Sequence, residues 1–96
     1  LPLGDLAAQL VHAAGESSPG SLPPNTHAVV LSVPSEDVLL RVHERLLDAG
    51  VVCVLIREPD APYLGAATAL GCFPAPRQKI RRLLSGLPLL RDRTTP

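Results

Sequence analysis

The chain has 96 residues, nine basic and nine acidic side chains, and a formal net charge of zero. Its length predicts one small domain over residues 1–96 with a single modest core. Hydrophobic residues make up 46% of the chain, with one Tyr, one Phe and no Trp or Met, so the core must be built from aliphatic side chains. The neutral charge argues against a generic nucleic-acid binder, and no run of residues is long and apolar enough for a membrane span or a signal peptide. We therefore expect a cytoplasmic protein.

The first segment predicts a helix over residues 2–14. Pro2 suits the first helical turn, where its missing N–H would have no partner, and Gly15 provides a C-terminal stop. The expected apolar side consists of Leu3, Leu6, Leu10, Ala13 and Ala14. Four polar side chains share a second stripe, because at 100° per residue they fall within about 60° of one another: Asp5, Gln9, His12 and Glu16. This stripe serves either solubility or the wall of a site.

Residues 16–26 are rich in Ser, Pro and Gly and predict a loop. The β-branched run 27–33 predicts a strand that ends at Pro34. Ser35 is a good N-cap, and apolar residues then recur at helical spacing, which predicts a second helix that ends before Gly50.

The continuous apolar run 51–58 predicts a strand covered on both faces. After a turn at 59–65, residues 66–73 predict a third strand and Arg77–Ser85 a last short helix, followed by a tail (87–96) whose leucines add an apolar contact. The strand–helix–strand unit over 27–58 implies a parallel pair, and the short turn permits an antiparallel neighbour. The fold class is therefore α/β, a small mixed sheet with helices on both faces in α/β/α layers. Its exposed edge makes a homodimer plausible.

The basic residues are concentrated near the C-terminal end, in the order Arg77, Lys79, Arg81, Arg82, Arg91 and Arg93. Arg77 and Arg81 share one helix face because they are four residues apart. Two interpretations stay open, a surface that binds phosphate and a solvated helix face with a charged tail.

Cys53 and Cys72 each lie in an apolar, strand-like run. Free buried thiols are the expected state, because cysteine behaves there as a small hydrophobe. The alternative is a disulfide between neighbouring strands, which would be unusual in the cytosol. Two cysteines and three dispersed histidines show no metal-ligand spacing, so we expect neither a metal nor another cofactor.

The segment GDLAAQLVHA, residues 4–13, resembles the pattern G-K-x-A-A-Q-x-x-H-A. That pattern is typical of the first helix in the second class of peptidyl-tRNA hydrolases, the archaeal and eukaryotic type. The resemblance continues in order through residues 27–58 and 65–76 and ends at LPLLRD, residues 87–92. It implies the family's fold, in which a further strand precedes the first helix, so we expect this chain to lack that strand.

The resemblance also implies an activity, hydrolysis of the ester that joins a peptide to the 3′ ribose of tRNA. Such chemistry needs a positioned water, a group that polarises the carbonyl, and cations for the tRNA backbone. The family is associated with a lysine on the first helix, an aspartate in an Asp-Ala-Gly-Arg-Thr-like loop and a threonine in the last strand. By position, the resemblance implies catalytic roles for His12, Glu58 and Thr68 and substrate binding by Gln9, while Arg77 and Arg81 are the candidates for tRNA phosphate.

Two positions depart from the family pattern. Asp5 stands where the family has its lysine, which exchanges a cation for an anion. Glu58 stands where the loop aspartate is expected, with Asp60 nearby, and the loop is about two residues shorter and lacks Gly-Arg-Thr. Two functions therefore stay open: a divergent peptidyl-tRNA hydrolase, and a catalytically inactive module on the same scaffold that binds RNA or a protein partner.

Overall fold

The computed structural model describes residues 2–90, which contain three helices and two strands. In chain order these are α1 (Leu3–Glu16), α2 (Glu36–Asp48), β1 (Cys53–Glu58), β2 (Ala66–Cys72) and α3 (Arg77–Leu84). The predicted α/β class is confirmed, and each of the three predicted helices is present. Arg91 and Arg93 of the predicted basic cluster lie outside the described residues.

The sheet is an antiparallel pair of β1 and β2. The predicted strand over 27–33 is wrong, because that segment forms only an isolated bridge in which Leu31 faces Leu89. Ser32 N–H donates to Pro88 O, and Leu90 N–H donates to Val30 O, so this segment pairs with the chain after α3. The parallel pair predicted over 27–58 is therefore not formed within residues 2–90. High β propensity in 27–33 was insufficient, because a strand also needs a neighbour along its whole length.

The helices α1 and α2 pack on opposite faces of the hairpin, as predicted. A Cβ at Gly71 would lie 2.6 Å from Ser17 Oγ and 2.9 Å from Ser17 Cβ, so this residue faces the end of α1 at close contact. The next residue of β2, Cys72, packs against the cluster that α2 supplies. Adjacent strand residues point to opposite faces, which places one helix on each side of the sheet.

The core lies between α2, the hairpin and α3. Val42, Leu46 and Val51 are buried, and Leu46 has no exposed surface at all. The predicted contact from the tail is confirmed at Leu87, which packs against this cluster together with leucines of α3. Ser35 Oγ accepts a hydrogen bond from Val38 N–H at 3.3 Å, so the predicted N-cap of α2 is also confirmed.

The buried face of α1 overlaps the predicted apolar side but is rotated from it towards the polar stripe. Leu6 and Leu10 of that side are half-buried. Gln9 and Ala13 are buried, whereas Leu3 is 81% exposed and Ala14 is exposed. Part of the polar stripe therefore faces the hairpin, and part of the apolar side faces solvent. This orientation brings α1 and the loop end of the hairpin together as a candidate site.

Candidate functional site

Gln9 is the centre of a polar cluster between α1 and the hairpin. Its side chain is only 7% exposed, and both ends of its amide are occupied. Its Nε2 donates to Glu58 Oε2 at 3.1 Å, and its Oε1 accepts from Thr68 Oγ1 at 2.7 Å. We call these three residues the Gln9 cluster. Three of the residues predicted to form the site, from three elements of the chain, are thus brought into direct contact.

Glu58 is the last residue of β1, at the end of the strand where the connecting loop begins. Its Oε2 accepts from Gln9, and its Oε1 accepts from the backbone N–H of Asp60 at 3.1 Å. Two donors on two oxygens fix the carboxylate plane. Because the side chain is half-buried, the remaining lone pairs stay open to a water molecule.

Thr68 reaches Gln9 because β2 contains a bulge at this point. Ile56 pairs with Ala69 and Arg57 pairs with Ala67, so Thr68 is the extra residue that no residue of β1 faces. A bulge changes the direction of a side chain that would otherwise follow strict alternation. Its hydroxyl also lies 3.5 Å from Ile56 O, which leaves it a second acceptor beside Gln9.

The loop over 59–65 is attached to α1 by the only tyrosine of the chain. Tyr63 OH donates to Asp5 Oδ2 at 2.9 Å. Desolvation, the hydrogen bond to Asp5 and the negative charges of Asp5 and Glu58 together raise the pKa of the Tyr63 phenol. Gly65, with φ of +89°, closes the loop by donating its N–H to Glu58 O at 2.7 Å. Asp5 therefore anchors the loop over 59–65 to α1.

The other predicted site residues lie apart from the Gln9 cluster. The His12 side chain is 54% exposed, and its Nε2 lies 3.6 Å from Glu16 Oε1 on the solvent side of α1. Arg77 and Arg81 are exposed on α3, which packs against α2 rather than α1 and begins beyond the far end of β2. The structure does not bring these three residues into contact with Glu58 or Thr68.

An open cleft of about 240 Å³ adjoins the cluster. It lies between the first turn of α2, the loop and β2, and it is lined in part by Glu36, Leu39, Tyr63 and Thr68. Glu36 accepts a hydrogen bond from Ala67 N–H at 2.6 Å, which fixes the N-terminus of α2 against the edge of β2. The cleft offers a mostly apolar surface beside the Thr68 hydroxyl.

The electrostatic character of the site is anionic. Asp5, Glu58 and Asp60 lie around it, and within residues 2–90 no lysine or arginine is at salt-bridge distance from Glu58. Arg57, the nearest cation in sequence, donates through Nη1 to Gly65 O at 3.0 Å. Carboxylates accept protons and orient water, but they do not hold phosphate. The arrangement can therefore supply a general base, while contacts to a polyanion have to come from another surface.

A comparison with protein-family models finds peptidyl-tRNA hydrolase PTH2 over residues 21–90. The matched range contains α2, both strands and α3, and so includes Glu58 and Thr68. This chain belongs to the peptidyl-tRNA hydrolase PTH2 family. A comparison with curated proteins finds no match. The helix α1, which carries Gln9, precedes the matched range and is tied to it by the hydrogen bonds of the Gln9 cluster.

Two contacts of the site were not predicted from the sequence, although Asp60 itself was named beside Glu58. Asp60 acts through its backbone N–H on Glu58, and Tyr63 acts through its contact with Asp5, 58 residues away in the chain. A single tyrosine in a loop of otherwise turn-forming residues was the only available signal. The structure also shows no helix within residues 2–90 that is both long and apolar enough to span a membrane.

Proposed function

We propose that this chain hydrolyses the ester between an acyl or peptidyl group and tRNA, with Glu58 as the general base. The observation that carries the proposal is the Gln9 cluster, in which one buried amide holds a carboxylate and a hydroxyl at the loop end of the hairpin. Membership of the peptidyl-tRNA hydrolase family supports the ester of tRNA as the substrate class.

In the proposed reaction, Glu58 takes a proton from a water molecule as its oxygen attacks the ester carbonyl carbon. The bond to the 3′ oxygen of the ribose then breaks, and that oxygen takes the proton from Glu58 to give free tRNA. The peptide acid releases its own proton to solvent and leaves as the carboxylate. A positioned general base contributes about 10²–10⁴-fold to such a step. The open lone pairs of the half-buried Glu58 carboxylate support this role.

Gln9 has a second proposed role in the same step. Its Nε2 carries two hydrogens, and one is used by Glu58. The other is the proposed donor to the carbonyl oxygen, where negative charge develops. A neutral amide stabilises such charge less than the lysine of the family pattern would, so we expect slow turnover.

The arginines of α3 supply the proposed contact with tRNA phosphates. Arg77 and Arg81 are exposed, lie four residues apart and are remote from the acidic site. Each phosphate contact that releases a counterion steepens the salt dependence of binding. Substitution of Arg77 and Arg81 by Gln should therefore weaken tRNA binding and reduce its salt slope, whereas Glu58→Gln should leave both unchanged.

A second candidate function is binding without catalysis, to RNA or to a protein partner. The observation that favours it is the contact of Asp5 with Tyr63, which places an anion and an ordered loop where the family has a cation. This candidate retains the salt-dependent binding of tRNA but predicts no bond cleavage.

The experiment that separates the two candidates uses N-acetylated aminoacyl-tRNA in heavy-oxygen water. Hydrolysis by the proposed route releases N-acetyl amino acid that carries one heavy oxygen in its carboxylate, faster than in buffer without protein. Release at the buffer rate, with tRNA binding intact, would overturn the hydrolase proposal in favour of the binding module.

A further inference from the structure

The only two cysteines of the chain stand directly opposite each other in the hairpin. Cys53 opens β1 and Cys72 closes β2, and both are free thiols that are half-buried. The backbone bond from Phe73 N–H to Val52 O, 2.9 Å long, belongs to the neighbouring pair. Cys53 and Cys72 are therefore a non-hydrogen-bonded pair, the type in which the facing side chains of antiparallel strands lie closest.

This geometry suits a covalent bond between the two sulfurs. Directly opposed residues of a non-hydrogen-bonded pair have Cα atoms about 4.5 Å apart, which is inside the range that disulfides occupy. Both side chains point to the α2 face of the sheet, where they pack against Val42, Leu46 and Val51. The fold therefore holds the two thiols side by side against an apolar cluster.

The pKa values of both thiols are raised. Burial raises the pKa of Cys53, and burial together with the neighbouring Cys53 raises the pKa of Cys72 to about 11. The influence of one thiol on the other agrees with their closeness in the register. The thiolate is the form that attacks a disulfide, so the raised pKa of both thiols slows the exchange without changing its end point.

We propose that Cys53 and Cys72 form a redox site, which closes to an intramolecular disulfide by exchange with a low-molecular-weight disulfide such as glutathione disulfide. The thiolate of one cysteine attacks one sulfur of glutathione disulfide, and one glutathione leaves. The thiolate of the other cysteine then attacks the sulfur of the first and releases the second glutathione. The two electrons and two protons of the protein thiols end on two molecules of glutathione, so the exchange balances without another reactant.

The disulfide would constrain the hairpin that carries Glu58 and Thr68 of the candidate site. The ring that it closes runs from Cys53 to Cys72 and contains Glu58, the loop over 59–65 and Thr68. It ties the two strands at the end of the hairpin opposite to the loop. A cross-link that closes a loop of this size restricts the unfolded chain, and we expect the melting temperature to rise by roughly 15 °C.

The test equilibrates the full chain with mixtures of reduced and oxidised glutathione, followed by acid quenching and intact mass spectrometry. We expect a monomer that has lost two hydrogens, with no retained glutathione. Cys53→Ser and Cys72→Ser should each retain one glutathione, because neither has a second thiol to displace it. Wild-type protein that accumulates as the glutathione adduct or as a linked dimer would overturn the proposal.

A second measurement does not depend on whether these variants fold. The equilibrium constant for disulfide formation is measured for the native wild-type protein and again in guanidinium chloride. We expect the native value to exceed the denatured value at least tenfold, because the fold places the thiols opposite each other. A native value below the denatured one would show that the hairpin resists the bond, and would overturn the proposal.

Discussion

Replacement of Gln9 by Ala removes the centre of the Gln9 cluster. Gln9 makes one hydrogen bond to the neutral Thr68 hydroxyl and one to the Glu58 carboxylate. A neutral hydrogen bond contributes about 0.5–1.5 kcal/mol to stability and one to a charged group about 1.5–3 kcal/mol. Thr68 can turn to Ile56 O, and Glu58 keeps the N–H of Asp60 and contact with solvent, so the lower end of the sum applies. We expect a loss of about 2 kcal/mol.

The assay is urea unfolding followed by far-ultraviolet circular dichroism, with thermal unfolding as a second measure. A loss of about 2 kcal/mol corresponds to a drop in melting temperature of roughly 10 °C for a domain of this size. His12→Ala is the matched control, because it lies on the same helix with its side chain 54% exposed and should change stability by less than about 0.5 kcal/mol. If Gln9→Ala is no more destabilising than His12→Ala, the amide does not hold α1 to the hairpin. A double-mutant cycle of Gln9→Ala with Thr68→Val should then show no coupling either.

Three further predictions concern the packing and titration of the hairpin. Gly71→Ala would push its new Cβ into α1 and should lower the free energy of unfolding in urea by about 3 kcal/mol. Gly4→Ala, with open space around it, should be neutral or stabilising. Equal effects of the two substitutions would refute the close approach of β2 to α1. Asp5→Asn should lower the pKa of Tyr63 towards its ordinary value in an absorbance titration, which reports this phenol alone, and an unchanged pKa would exclude the contact in solution. The pKa of Cys72 is raised from 9.0 to about 11, so its stabilising contribution is complete below pH 9 and is lost as pH rises to about 11. Measured by urea unfolding, the free energy of unfolding of Cys72→Ala should fall less steeply over that pH range than that of wild type. Equal slopes for the two proteins would contradict the raised pKa of Cys72.

The fold was predictable where the signal was local. The second helix followed from the cap at Ser35 and the spacing of its apolar residues, and the turn at 59–65 followed from its Pro and Gly content. The strand predicted over 27–33 does not form. Its residues favour extended backbone, but the described chain offers them a bridge partner only at Leu89. Residue composition predicts the local backbone, while pairing depends on residues far away in the chain.

The site was predictable only in part, and for a related reason. The sequence identified Gln9, Glu58 and Thr68 through the family resemblance, and the structure brings these side chains together. The periodicity of α1 gave two candidate stripes but not the one that faces the hairpin. The polar Gln9 is buried because the hairpin supplies a carboxylate and a hydroxyl opposite it, which no local pattern records. The same holds for the contact of Tyr63 with Asp5.

The role of Glu58 is tested most directly by the single-turnover rate of label release from N-acetylated aminoacyl-tRNA. Glu58→Gln keeps the size of the side chain and one acceptor oxygen but removes the base, so we expect the rate to fall by about 10²–10⁴-fold. Glu16→Gln makes the same chemical change at a side chain that is 56% exposed and should stay within about twofold of wild type. A Glu58→Gln rate equal to that of wild type, with Glu16→Gln unchanged as well, would contradict general-base catalysis by the Gln9 cluster.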